Sequence, residues 1–413
     1  MKKLLIILLS VVMVSSLFAV DVINPTAEVA YTKSVVKPYT KTSARIEAMG
    51  GAGIAGFSNQ DALYVNPASL AKKGLVFNTP NIALTIYNFK EVVNTGVLDD
   101  LLSNRQKFED EAYLTRIGQK LLSIYGTGLN NALMGIDAGI GFKFGRFAIA
   151  FDTKTSITSY TTSGLSSIQL IPTLDAVLSM GLGLRFFQES KVNFDVGVAA
   201  RLNVRGYSKA FSADEVLAHS SDLNAYLSDI ANVTPLMVGF AVPIDAAINV
   251  NLPAGFTISG VVKNINGKFY MSGYENYKAV QNKGFGVLNN GTFSFDTPMS
   301  INLGIGWNPD FGKVSNFINT SILVDMVDLG TVFKEFGTTS LLRSLRIGAE
   351  LELLRTFEIR AGLNQGFITL GAGVNLFNVI HLEASYYWNE FGKLLGDNSV
   401  DAFTIRANLF WER

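Results

Sequence analysis

Cysteine is absent from the 413-residue chain. That excludes disulfides, thiolate metal sites, a cysteine nucleophile and a lipid-modified cysteine behind a leader. Histidine is scarce, with two residues, His219 and His381. Serine–histidine hydrolysis needs a paired nucleophile and base, and neither histidine is accompanied by a G-x-S-x-G turn. No convergent histidines and carboxylates stand at ligand spacing, so no metal site is predicted. No catalytic residue and no cofactor emerge, and the chain is read as a non-enzyme. Charge is thin as well: Asp, Glu, Lys and Arg make up 16% of residues, against roughly 25% in soluble domains. Basic and acidic residues number 34 each and form no basic stripe, which argues against a nucleic-acid partner. Long apolar runs are missing too. Beyond the first twenty residues no stretch of about 18 apolar residues occurs, which excludes helical membrane spans.

Yet the mean hydropathy is +0.27 and 48% of residues are hydrophobic. Apolar content without apolar runs is the signature of a transmembrane barrel, whose strands alternate lipid-facing and lumen-facing side chains. The alternation is visible in Lys191–Arg205. Val192, Phe194, Val196, Val198, Ala200, Leu202 and Val204 fill one parity, and Lys191, Asn193, Asp195, Arg201, Asn203 and Arg205 dominate the other. It recurs in Ile136–Lys143, Leu345–Leu351, Phe357–Gly362 and Phe403–Trp411. A soluble sandwich shows such alternation over single short strands, seldom over fifteen residues.

Met1–Ala19 has Lys2 and Lys3, an apolar core from Leu4 to Val14, small residues and a cleavage site after Ala19, which reads as a signal peptide. An N-terminal anchor is the rival, weakened by the short run and the polar Asp21–Lys41 behind it. Residues 20–74 are assigned to a leader and lumenal plug, and 75–413 to the barrel. Dividing Leu75–Arg413 at turn signals gives about 14 strands. They are 75–89, 132–144, 146–160, 173–187, 191–207, 233–250, 255–267, 297–308, 317–328, 343–354, 356–364, 367–377, 379–389 and 400–411. Tight turns follow even strands and long loops follow most odd ones, the habit of outer-membrane barrels. Asn364-Gln365-Gly366 departs from it as a tight turn. An even count places both barrel ends in the periplasm, so the plug enters from below. Two loops carry helical spacing: 97–125, with Leu98, Leu101, Leu102, Phe108, Ala112, Leu121 and Tyr125, and 212–232, with a Ser212–Glu215 capping box. These helices either pack down on the barrel mouth or line a groove for a greasy ligand.

One stretch breaks the pattern. Arg45–Ala71, RIEAMGGAGIAGFSNQDALYVNPASLA, is glycine-rich and nearly uncharged. Gly50, Gly51, Gly53 and Gly56 permit left-handed backbone and close approach, and Asn66-Pro67 is a turn. Gly51–Gly56 also satisfies the G-x-G-x-x-G dinucleotide pattern. That fingerprint needs a buried strand before it and a long helix after it. Thr42–Met49 has no apolar run, and Phe57–Pro67 ends in a proline turn, so the glycines are read as structural.

The glycines, Asp61-Ala62, Asn66-Pro67-Ala68 and Leu70 together resemble the N-terminal hatch of FadL-type outer-membrane transporters. Similar openings occur in Por-type secretion barrels and in uncharacterised outer-membrane families. The resemblance covers Arg45–Ala71 by motif and the remainder by architecture. It implies an all-β transmembrane antiparallel barrel with a lumenal hatch, a pocket above it and a lateral exit between strands for hydrophobic molecules. Gly50, Gly51, Gly53, Gly56, Asp61, Asn66, Pro67 and Ala68 are the expected plug and gating residues.

Lumen-facing charges of both signs (Asp137, Lys143, Asp195, Arg201, Arg205, Arg346, Glu350, Glu358, Arg360 and Arg406) suit a plugged barrel better than an ion-selective pore. Some of them should grip Asp61, Asn66 and the plug backbone. His381 should face the lumen beside Glu383. The functional expectation is passive uptake of hydrophobic small molecules such as long-chain fatty acids. The alternative is a structural or interaction barrel, a secretion partner or surface antigen. Either form needs outer-membrane lipid around it and the barrel-assembly machinery for insertion, and the pattern fixes no oligomeric state.

Overall fold

The computed structural model describes residues 35–56, 61–103, 113, 116–117, 119–120, 123–124, 131–161, 168–208, 211–212, 235–283, 293–335, 337–377, 379–391 and 395–412. The wall is a closed 14-strand antiparallel barrel. Its strands are β1 (Gly74–Tyr87), β2 (Asn131–Gly145), β3 (Phe147–Thr161), β4 (Ile168–Phe186) and β5 (Asn193–Ser208). Three strands in two pieces come next: β6 (Leu236–Ala241 and Ile244–Asn251), β7 (Phe256–Ile265 and Lys268–Tyr274) and β8 (Phe293–Asp296 and Ser300–Trp307). Then come β9 (Ile318–Met326), β10 (Leu345–Leu353), β11 (Phe357–Asn364), β12 (Phe367–Leu376), β13 (Ile380–Glu390) and β14 (Ser399–Glu412). Closure falls on β1, where Leu84 lies opposite Ile136 of β2 and Ile405 of β14. A closed ring leaves no unpaired strand edge, the condition for crossing lipid with strands. Among the described residues no helix is long and apolar enough to cross a membrane.

Period-2 patterning decides which way each side chain points. In β5, Asp195, Arg201, Asn203 and Arg205 are buried inside, while Val196, Val198 and Leu202 turn outward and are 44–50% exposed. The same split runs through β14, with Thr404, Arg406 and Asn408 inside and Ile405, Leu409 and Trp411 outside.

Most strand ends fall within three residues of the sequence expectation, and larger differences occur in two places. Strand β4 begins at Ile168 rather than at residue 173. More consequentially, the loop expected over 268–296 opens and closes with strand, Lys268–Tyr274 continuing β7 and Phe293–Asp296 leading into β8. Asn266-Gly267 and Thr297-Pro298 interrupt these strands without ending them, and Asn264 and Asn266 take left-handed backbone (φ 62 and 56). Asn-Gly serves hairpins and strand breaks alike, which is why it reads as a turn.

Connections at the end bearing Gly74 and Glu412 (the terminal rim) are the shorter set, and those at the opposite end (the loop rim) include the long ones. The expected exception is a two-residue hairpin, Gln365 and Gly366 with φ 53 and 89. In the first long loop Phe89–Asn94 and Val97–Ser103 are helical. There Val92, Val97, Tyr113, Ile117 and Ile124 bury one another against Ile86 and Leu133 of the wall. Short helices also occur at Tyr277–Lys283, Leu329–Lys334 and Thr338–Ser344. The expected signal peptide and most of the second expected loop helix, beyond Ser212, lie outside the described residues. Phe211–Ser212 itself pairs with Gln169–Leu170 of β4.

Candidate functional site

Residues 35–71 run through the inside of the barrel. A short helix, Ala44–Ala48, starts at Ser43 and ends at Met49, after which Gly50 and Gly51 turn the chain with φ 69 and 80. A Cβ on Gly50 would sit 2.5 Å from the Leu363 carbonyl oxygen and 2.6 Å from that of Ile347, so the backbone there lies directly on the wall. Gly53 takes no left-handed backbone, contrary to expectation. Its part is to donate its N–H to Asp325 Oδ2 at 2.6 Å, next to the Ile54 N–H at 2.9 Å. Gly56 faces Leu323, whose Cδ1 a Cβ would meet at 2.6 Å.

The segment then crosses to the other side. Helix Ala62–Val65 and the 3-10 turn Pro67–Ala71 pack on β4, β5 and β6. Asn66 caps that turn by accepting from the Ala68 N–H at 2.9 Å. The same amide donates to the Ile54 carbonyl at 2.6 Å and to Asn249 Oδ1 on the wall at 2.7 Å. Pro67 starts the turn with its fixed φ and no N–H to satisfy. Ala68 is buried among Met49, Ile54, Val65, Ala247, Val261 and Leu323.

What the sequence reading lacked is the counterpart on the wall. Inward glycines leave shallow seats where plug backbone rests: Gly183 under Ala71, Gly197 under Pro67, Gly306 under Ala55, Gly348 and Gly362 under Met49 and Gly50, Gly371 under Ala48. Their parity marks them as lumen-facing. Their partners are far away in sequence, and no local signal pairs them.

Charge fastens the plug. Arg45 forks onto Glu350, with one bond at 2.7 Å. Arg360, fully buried, donates to Glu350 at 2.6 Å, to Glu383 at 2.9 Å and to Glu358. Arg406 contacts Asp61 at 3.4 and 3.5 Å and Glu383 at 3.5 Å, and donates to Asn81 at 2.8 Å. Lys41 donates to Asp152 at 2.5 Å and Tyr64 donates to the same carboxylate. Burial pushes the Asp61 carboxyl up, but Arg406 and Lys41 outweigh it and hold it below its ordinary value. Burial raises Glu47 to about 7, against the opposing pull of Lys154 and Arg346. His381 lies in the lumen as expected, with Nε2 3.0 Å from Glu358 and 4.0 Å from Glu383. Glu358, His381 and Glu383 offer ligand atoms within 4.8 Å of one another. Both carboxylates are already paired with Arg360, and Glu383 also with Arg406, so the arrangement favours ion pairs over a metal ion.

Above the plug the lumen changes character. Val35 is buried among Ile171, Tyr207, Met237, Ala241, Phe269, Met271 and Phe295, all wall residues on inward positions. Arg205 holds the leader there. It donates to the Val35 and Lys37 carbonyls at 2.5 and 2.6 Å, pairs with Asp175 at 2.7 and 2.9 Å, and lies over the Phe269 ring. Beside this cluster is a cavity of about 170 Å³ whose walls include Tyr39, Thr42, Tyr87, Lys154, Thr173 and Phe391, but none of Gly50–Pro67. The apolar cluster also abuts the breaks in β6–β8. Between Phe240–Tyr270 and Ile244–Ile265 the β6–β7 ladder is interrupted, and so is β7–β8 between Lys268–Asp296 and Lys263–Ser300. One backbone bond, from the Thr297 N–H to the Gly267 carbonyl at 2.9 Å, and several side chains stitch the gap: Asn264 Nδ2 donates to Thr297 Oγ1 at 2.6 Å and to the Pro298 carbonyl at 2.9 Å, and its N–H donates to Asp245 at 2.7 Å.

No family model and no curated protein sequence matches the chain. At the level of fold it is similar to FadL-family transporters. The toluene transporter TbuX of Ralstonia pickettii is 12% identical, with 90% of this chain and 98% of that one covered at a TM-score of 0.45. The toluene transporter TodX of Pseudomonas putida is 12% identical over 91% and 99%, at 0.42. A Pseudomonas aeruginosa FadL homologue is 12% identical over 90% and 98%, at 0.43.

Proposed function

We propose that this chain is an outer-membrane barrel, exported by its signal peptide and inserted by the barrel-assembly machinery, for passive uptake of hydrophobic small molecules such as long-chain fatty acids. The observation that carries this reading is one coincidence. The apolar patch of the lumen lies at the level where three neighbouring wall strands lose their ladder. A greasy solute gains nothing from a lumen lined with Asp137, Arg360 and Arg406, because stripping water from such groups is costly. It is stabilised among Met237, Phe269 and Met271 once Val35 gives way, and from there the wall gap is the short path to lipid.

The test is uptake of a labelled long-chain fatty acid, normalised to surface-exposed protein. Met271→Asp, Gly51→Val and Asn66→Ala should each lower normalised uptake several-fold, with insertion read separately as heat-modifiable mobility. If all three match the parent, or the parent never exceeds cells lacking the protein, the transport reading is wrong. The second reading, a sealed structural or interaction barrel, draws on the density of plug-to-wall ion pairs and predicts that null result.

A further inference from the structure

The cavity beside the leader differs in kind from the apolar patch it adjoins. None of the patch residues lines it, and most of its wall is made by residues with hydroxyl or charged ends. Its cations are Lys37, Lys154 and Arg205, and its one carboxylate is Asp175. Arg205 and Asp175 pair with each other, so the net positive charge of the wall comes from the two lysines. Lys37 Nζ lies 5.0 Å from the centre of the Phe391 ring. Lys154 donates to the Thr40 carbonyl at 2.7 Å and to Thr42 Oγ1 at 3.0 Å, and no carboxylate among the described residues pairs with it. An ammonium has three N–H donors, so one is left over. Asp137 and Asp152 lie outside the lining and are engaged elsewhere, by the Thr42 N–H at 2.9 Å and by Lys41 at 2.5 Å. Tyr39 supplies a second spare donor. Its ring stands edge-on to Tyr64 with centres 5.9 Å apart, and its buried hydroxyl has no hydrogen-bond partner among the described residues. Burial, with Asp137 and Asp152 nearby, raises the Tyr39 phenol above its ordinary pKa, which keeps the proton on it. A buried donor without an acceptor is costly, and a negatively charged oxygen answers both the donors and the charge. A volume of about 170 Å³ with such walls suits a small hydrophilic anion and offers an acyl chain no apolar surface of its own.

We propose that this cavity is a binding site for a small oxyanion, a phosphate or carboxylate group held by Tyr39, Lys154 and Lys37, separate from the apolar patch and independent of hydrophobic uptake. The test is calorimetric titration of the full chain, purified in an uncharged detergent, with inorganic phosphate, with acetate and with octanoate. Phosphate or acetate should give saturable heat, and which of the two binds tighter tells a phosphoryl from a carboxylate ligand. Lys154→Gln and Tyr39→Phe should each weaken that binding several-fold. Lys120→Gln, which removes a cation of the first long loop paired with Asp100 at 2.8 Å, should leave it unchanged. Tyr39→Phe takes away only the unpartnered hydroxyl and keeps the ring, and heat-modifiable mobility checks that each variant is folded. The absence of saturable heat with both phosphate and acetate overturns the inference. Parental affinity in either Tyr39→Phe or Lys154→Gln overturns it too, as does an equal loss in Lys120→Gln, the mark of diffuse surface charge. Octanoate bound several-fold tighter than acetate would make the cavity the polar end of the apolar patch, and the separate site would fall. Uptake of a labelled fatty acid, measured apart, decides the transport reading and not this one.

Discussion

Asn66 shows how much one side chain holds together. Its amide satisfies the Ala68 N–H, the Ile54 carbonyl and Asn249 at once, all of them buried. Alanine there strands the Ala68 N–H and the Ile54 carbonyl, at about 1–3 kcal/mol for a buried group left unsatisfied, whereas Asn249 Oδ1 keeps the Ser259 hydroxyl at 2.8 Å. Glu47 is the residue with a pH signature. Its carboxyl rises from an ordinary 4.5 to about 7, so the folded plug holds a proton that the unfolded chain has released. The stability this contributes is complete below pH 4.5 and is lost as pH climbs through 7. Glu47→Gln should therefore flatten the decline in urea midpoint between about pH 5 and pH 8, gaining most at the alkaline end. Asp61 works in the opposite sense and in another window, because its lowered carboxyl contributes stability that is lost only as pH falls below the ordinary aspartate range. A Glu47→Gln midpoint that keeps the full parental pH slope would show that the carboxyl is solvated in the lumen.

At the scale of elements, the plug is held by shape as much as by charge. A Cβ on Gly197 would collide with the Pro67 carbonyl, and one on Gly362 with the Gly50 amide. These are backbone atoms, which cannot swing aside. Gly135, also inward-facing, meets nothing closer than the Thr155 oxygen at 3.8 Å. Gly197→Ala and Gly362→Ala should cost on the order of 1–3 kcal/mol of overpacking and open residues 41–73 to limited proteolysis, whereas Gly135→Ala should leave the digestion pattern of the parent. This contrast also marks what the sequence makes legible. Strand parity announced that Gly197, Gly348 and Gly362 face the lumen, and Asn66-Pro67 announced a turn. Which wall position receives which plug residue depends on closing a ring across most of the chain, and alternation carries no such information. The breaks in β6–β8 were hidden for a different reason. Val242-Pro243, Asn266-Gly267 and Thr297-Pro298 use residues that punctuate hairpins, and only pairing shows the strands resuming beyond them. The leader's place among Ile171, Tyr207 and Phe269 had no local signal at all.

Across the whole molecule, two solvents are divided by one layer of backbone. Inward side chains form bonded ion pairs around the plug; outward ones are apolar from rim to rim, with Phe186, Leu184, Leu182 and Met180 exposed in turn along β4. The position of that band in lipid is therefore a property of every strand at once, and it sets the cost of a misplaced charge by depth. Ile405 lies midway along β14 and Leu409 near its terminal end, both outward and half exposed. Arginine on a lipid face costs about 2–4 kcal/mol at the midplane and about 0–1 kcal/mol near an interface. Ile405→Arg should thus sharply reduce the heat-modifiable, vesicle-folded fraction, and Leu409→Arg should reduce it little. Thr404→Val, on the inward neighbour that bonds to Thr85 at 2.7 Å, should spare insertion. Equal folding yields for Ile405→Arg and Leu409→Arg would mean that depth does not order these positions, and the band would have to be redrawn.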